Sequence, residues 1–104
     1  MYKPLPDYIT IKESPISGLG LFAIQPIEEG TYIGVVLVAH NGAENNYLRT
    51  PLGGFGNHSD TPNCFKVHKV DKNMITEWWL VAERDIESGE ELTWTYTLYK
   101  VEKT

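Results

Sequence analysis

Residues 23–33 and 82–92 echo each other. Ala23-Ile24-Gln25-Pro26-Ile27-Glu28-Glu29-Gly30-Thr31-Tyr32-Ile33 matches Ala82-Glu83-Arg84-Asp85-Ile86-Glu87-Ser88-Gly89-Glu90-Glu91-Leu92 at the Ala, Ile, Glu and Gly positions and at the closing aliphatic residue. Neither copy has the length or the periodicity of a helix. Each reads as a strand that leaves its sheet, tucks one Ile back as an anchor, turns at a Gly able to take positive φ, and re-enters. Two such hooks predict a clip of short hairpins rather than one regular sheet.

The rest of the chain agrees. Ile9 and Ile11 alternate with Thr10 and Lys12, the period of a half-buried strand, and Ser14-Pro15 ends it. Ser17-Gly18-Leu19-Gly20 is a tight turn into the apolar run Leu21 to Ile24. Tyr32 to Ala39 is so continuously apolar that a buried strand is expected. His40-Asn41-Gly42 is a hairpin-type turn, and Ala43 to Arg49 reads as a short helix or turn. Phe65 to Val70 and Ile75 to Ala82 form a hairpin about Asp71-Lys72-Asn73, and Leu92 to Tyr96 is the last strand. The expected fold class is mainly β, in one domain over residues 1–104.

Composition bounds the partners. Nine basic against fourteen acidic residues give a net charge of −5, a field that repels nucleic acid and suits a basic partner. The N-terminus Met1-Tyr2-Lys3-Pro4 lacks the apolar run of a signal peptide, and no stretch approaches the ~20 apolar residues of a membrane span. The expectation is a soluble protein of the cytoplasm, or of the nucleus in a eukaryotic host. Cys64 is the single cysteine, which excludes an internal disulfide and a multi-cysteine zinc site. His40, His58, His68 and Cys64 match no standard ligand spacing, so no metal is expected.

The run Gly53 to Cys64, Gly-Gly-Phe-Gly-Asn-His-Ser-Asp-Thr-Pro-Asn-Cys, is too polar and too rich in Gly to be core. It reads as a rigidly turned surface loop in which Asn57 and Asp60 bond their own backbone. Three stretches in order nevertheless resemble the motifs of SET-domain protein lysine methyltransferases. They are Gly18-Leu19-Gly20-Leu21-Phe22-Ala23, Asn57-His58-Ser59 with Pro62-Asn63, and Glu91-Leu92-Thr93-Trp94-Thr95-Tyr96. Gly18-x-Gly20 lacks the third Gly and the helix of a dinucleotide fingerprint. The resemblance implies a β-clip fold of several small sheets, its C-terminal segment threaded beneath a loop as a pseudoknot. It also implies S-adenosyl-L-methionine as cofactor and a basic protein or peptide carrying the target lysine as substrate.

By that resemblance Gly18, Leu19 and Gly20 contact the methionine part of the cofactor, Asn57 its charged amino-acid moiety, and His58 its adenine side through backbone. Tyr96 is the catalytic residue, Tyr47 lines the lysine channel or the cofactor, and Tyr99 covers the channel. The chemistry suits such a site. A lysine amine of pKa about 10.4 is uncharged in roughly one molecule in a thousand near neutral pH, and an apolar channel beside a sulfonium raises that fraction. Transfer is then an in-line displacement that depends on alignment. Thr95 stands where the family usually has Asp, and Asp60 where it usually has Cys. With no cysteine after Tyr96, the resemblance is to minimal viral or bacterial forms without flanking zinc modules. A second copy, in a homodimer, is one candidate to finish the substrate groove. The competing reading is a non-catalytic module, either a SAF-like β-clip or a degenerate SET domain.

Overall fold

The computed structural model describes residues 5–40 and 47–95. Among these, the strands are β1 (Ile9–Glu13), β2 (Leu19–Ala23), β3 (Tyr32–His40), β4 (Tyr47–Arg49), β5 (Asn57–His58), β6 (Cys64–Val70), β7 (Ile75–Ala82) and β8 (Glu91–Trp94), with one single-turn helix, α1 (Pro51–Gly54). They form two four-stranded sheets, in the orders β1-β2-β8-β5 and β4-β3-β7-β6. The mainly β fold expected from the sequence is thus the fold observed.

The hooks join the sheets. Ile27 and Ile86 form an antiparallel bridge, each amide donating to the other's carbonyl at 2.8 Å. Gly30 N donates to Ala82 O at 2.8 Å, and Gly89 N to Ala23 O at 2.7 Å. Ala82 N donates to Thr31 O and Ala23 N to Glu90 O, at 3.0 and 2.9 Å. Each of these backbone bonds of one hook is therefore returned by its counterpart. Gly30 and Gly89 have φ of +87° and +96°, where a Cβ is disfavoured, which explains the Gly shared by the two copies. Both Ile side chains are buried and join Leu21, Leu80, Leu92 and Cys64 in a single core.

β1 and β2 pair with Ile9 opposite Ala23 and Ile11 opposite Leu21, so the alternation read from the sequence puts these apolar residues on one face. The β6–β7 turn is closed by Asp71, whose Oδ1 accepts from Asn73 N and Ile75 N at 2.8 and 3.0 Å, with Met74 left-handed at φ 67°. Two expectations are corrected. β3 is not buried throughout: register shifts on either side of Gly34 and Val35 leave Ile33 and Val36 in the core while Tyr32 faces solvent. Tyr47–Arg49 is a strand rather than helix or turn, because Leu37, Val38 and Ala39 of β3 supply its hydrogen-bonding partner. The turn at 41–46 lies outside the described residues.

Burial of Ile86 against the first hook predicts that Ile86→Ala lowers unfolding free energy by about 2–5 kcal/mol in urea titration. A loss under about 0.5 kcal/mol would mean that the bridge carries no packing. A second outcome concerns Lys66 on β6, whose pKa is lowered to about 8, first by burial and then by Arg49. Below pH 8 the cost of holding its charge is fully present. Between about pH 8 and 10.5 the unfolded chain binds more protons, so this contribution rises with pH. Cys64 works oppositely, its thiol pushed up to about 12 by burial. Lys66→Met isolates the lysine: the variant gains stability over wild type at pH 7.5, and the gain shrinks by pH 10. A constant difference across that range would contradict the assignment.

Candidate active site

Two backbone segments face each other across a cleft of about 310 Å³, lined by Ser17, Gly18 and Leu19 on one side and Gly54, Phe55, Gly56 and Asn57 on the other. That volume is at the lower end of the about 300–1,000 Å³ common for small-molecule sites. Gly18 turns at φ +47°, and neither Gly18 nor Gly54 has an atom within 4 Å of where a Cβ would stand. Bare backbone is therefore presented to whatever enters. The half-exposed side chains of Leu19 and Phe55 are its apolar lips. The second wall is set by Thr50, which caps α1 by accepting from Gly53 N at 3.1 Å and anchors it to β3 by donating to Val35 O at 2.7 Å. A Cβ on Gly53 would strike the Val36 carbonyl, so the turn lies flat on β3.

Asn57 forms the floor. Its Nδ2 lies 2.8 Å from Glu91 Oε2, 3.1 Å from Ser14 Oγ, and 3.2 and 3.3 Å from the carbonyls of Ser17 and Leu19. Ser14 Oγ in turn donates to Glu91 Oε1 at 2.9 Å. Asn57 is thus buried and bonded to residues far away in sequence, which corrects the reading of a surface loop bonding its own backbone. Asn63 and Cys64 are buried as well. Asn63 replaces a ladder partner for β8, with Nδ2 donating to Glu91 O at 2.8 Å and Oδ1 accepting from Thr93 N at 2.9 Å. Single polar side chains of such a run can be core when their groups are paired, while Gly54, Phe55, His58, Asp60 and Thr61 stay exposed.

The residues singled out in the sequence part company here. Gly18, Leu19 and Asn57 line the cleft. Gly20 lies beneath it, buried, and a Cβ there would overlap the Glu91 carboxylate. His58 pairs in parallel with Trp94 while its exposed ring bonds Asp60 Oδ1 at 3.1 Å, so Asp60 has a local partner. Tyr47 begins β4, its side chain outside the described residues, as are Tyr96 and Tyr99. Thr95 Oγ1 lies 3.5 Å from Ser59 O, a donor role that a carboxylate in its place could not fill. Ser14 and Glu91 were missed: Ser14 reads as a strand stop and Glu91 only as the head of a motif. Among the described residues no group of three His, Cys, Asp or Glu side chains is placed to hold a metal ion.

The two glycines of the second wall separate by substitution. Gly54→Ala points into open space and leaves the melting temperature within about 2 °C, whereas Gly56→Ala drives a methyl group into the Trp94 indole. Such overpacking costs about 1–3 kcal/mol or more, several degrees in a domain of this size. Equal melting temperatures would mean that Trp94 yields without cost.

Comparison with known proteins agrees with this geometry. The SET domain family model matches residues 38–97. A Schizosaccharomyces pombe histone-lysine N-methyltransferase, H3 lysine-4 specific, is 34% identical over 114 residues, taking in 80% of this chain and 12% of that protein. An Aspergillus oryzae histone-lysine N-methyltransferase, H3 lysine-36 specific, is 45% identical over 53 residues, 48% of this chain and 5% of that protein. The chain therefore spans a small part of the length of these relatives. A Plasmodium falciparum protein whose crystal structure is described as that of a candidate histone methyltransferase has the same fold, with a TM-score of 0.70 at 22% identity over 90% of this chain and 96% of the other. The hooks, the small sheets and the family match together place this chain in the SET-domain family.

Proposed function

We propose that this domain transfers a methyl group from S-adenosyl-L-methionine to the ε-amine of a lysine in a basic protein segment. The observation that carries the reading is the cleft of bare backbone at Gly18 and Gly54 with the oriented Asn57 amide at its floor. When bound, the cofactor supplies an activated methyl on a cationic sulfur. This chain's part is to hold and align. Backbone at Gly18 and Leu19 meets the amino-acid end, Asn57 offers a hydrogen bond to its charged head, and the apolar lips of Leu19 and Phe55 exclude water. The relatives named as histone-lysine methyltransferases support a basic protein as acceptor, and the net charge of −5 favours its approach. A second copy of the chain is the proposed supplier of the remaining groove wall, and the interior of a cell, nucleus included, the proposed setting.

Tyr96 follows Thr95 in the sequence and is the proposed residue that orients the amine. Tyr96→Phe keeps the ring and deletes one hydroxyl. The expected result is a fall in radiolabelled methyl transfer to lysine peptides of about a hundredfold, the scale of one lost contact made in the transition state. Cofactor affinity by calorimetry and the thermal melt stay within error, with or without chelator. Equal rates would remove Tyr96 from the reaction. A wild-type chain that binds the cofactor yet methylates no lysine substrate would instead mark a degenerate binding module.

A further inference from the structure

We propose that Glu91 and Ser14 are positioning residues that fix which end of the Asn57 amide faces the cleft, so that the site selects ligands bearing a protonated α-amino group. The inference rests on the cofactor reading above and deepens it. The available protons decide the orientation of the amide. An ionised Glu91 has none to give. Ser14 has one, donated to Glu91 Oε1 at 2.9 Å. Ser14 Oγ is then an acceptor toward its other neighbours, Ile16 N at 2.9 Å and Asn57 Nδ2 at 3.1 Å. The Asn57 nitrogen accordingly sits among four acceptors: Glu91 Oε2, Ser14 Oγ and the Ser17 and Leu19 carbonyls. Turning the amide over would set Oδ1 against four oxygens, which no arrangement of protons can satisfy.

Asn57 Oδ1 must therefore point the other way. Among the described residues no donor bonds it, and no buried side-chain nitrogen or oxygen lacks a partner, so this oxygen is open at the cleft that Asn57 lines. An open acceptor with its dipole fixed from behind suits an ammonium and disfavours a carboxylate. Gly20 belongs to the same device: any side chain there would occupy the place of the Glu91 carboxylate. The Gly-x-Gly turn and the strand that closes the domain thus meet in one hydrogen-bonded unit. Neither motif alone implies that coupling.

The test compares two ligands on three proteins by calorimetry: S-adenosylhomocysteine and its analogue with hydrogen in place of the α-ammonium, on wild type, Glu91→Met and Ser14→Ala. Methionine keeps the length of the glutamate without its acceptors, and a thermal melt verifies folding. Wild type is expected to prefer the ammonium ligand at least about tenfold, the scale of a hydrogen bond to a charged group. Both variants lower that preference at least about threefold, while affinity for the analogue stays within about twofold. A general loosening of the fold would weaken both ligands together. Equal loss for both, or an undiminished preference in either folded variant, overturns the inference and leaves the cofactor site standing. If Glu91→Met does not fold, Ser14→Ala alone decides. A wild-type chain that binds both ligands equally refutes the selection, and one that binds neither removes the cofactor reading along with it.

Discussion

The reciprocal hydrogen bonds between the two hooks are the constraint on which the rest of the structure depends. Ile27 and Ile86 exchange amide-to-carbonyl bonds, and each hook's Gly donates to the Ala that opens the other. With the bonds from the Ala23 and Ala82 amides, six hydrogen bonds satisfy twelve backbone groups at the point where each chain segment leaves one sheet for the other. Each hook alone would expose those groups and an isoleucine. Together they hold Ala23 at the end of β2 against Glu90, one residue before β8, and so set where β8 enters the first sheet.

From β8 the site follows. β8 runs antiparallel to β2 on one side and parallel to β5 on the other, so Glu91 comes to lie beside Ser14 and Asn57 without any of the three being near in sequence. The parallel pair is only two residues long, and such a ladder needs help. The Asn63 amide gives it by bonding both Glu91 O and Thr93 N. A buried amide bonded at both ends fixes register, since a slip would leave two polar groups unpaired in the core. The cleft is thus a consequence of how β8 is held, and its walls need contribute little beyond bare backbone.

What was legible in the sequence was what local chemistry decides. The hooks were visible because the same turn needs the same Gly and the same anchor twice, and β1, β6 and β7 because alternation and aromatic content fix their type. β4 was not visible, since Tyr47–Arg49 is a strand only through its pairing with Leu37 to Ala39. The two-faced character of β3 was hidden by register shifts that no apolar count records. Within the run from Gly53 to Cys64, the exposure expected from composition holds for Gly54, Phe55, His58, Asp60 and Thr61 but fails at Asn57 for a physical reason: composition predicts exposure only where an amide lacks partners, and those of Asn57 lie at Ser14, Ser17, Leu19 and Glu91. The motifs gave the identities of Gly18, Leu19 and Asn57 as cleft residues. They did not give Gly20 its place under the floor.

A rigid clasp sets a cleft whose walls remain free to answer a ligand. Native-state amide hydrogen exchange, with and without S-adenosylhomocysteine, measures both halves at once. The amides of Ile27, Gly30, Ile86 and Gly89 should exchange only through global unfolding, while those of Ile16, Ser17 and Gly54 exchange faster and become protected when the ligand is added. Clasp amides that exchange by local opening, or cleft amides that ignore the ligand, would contradict it.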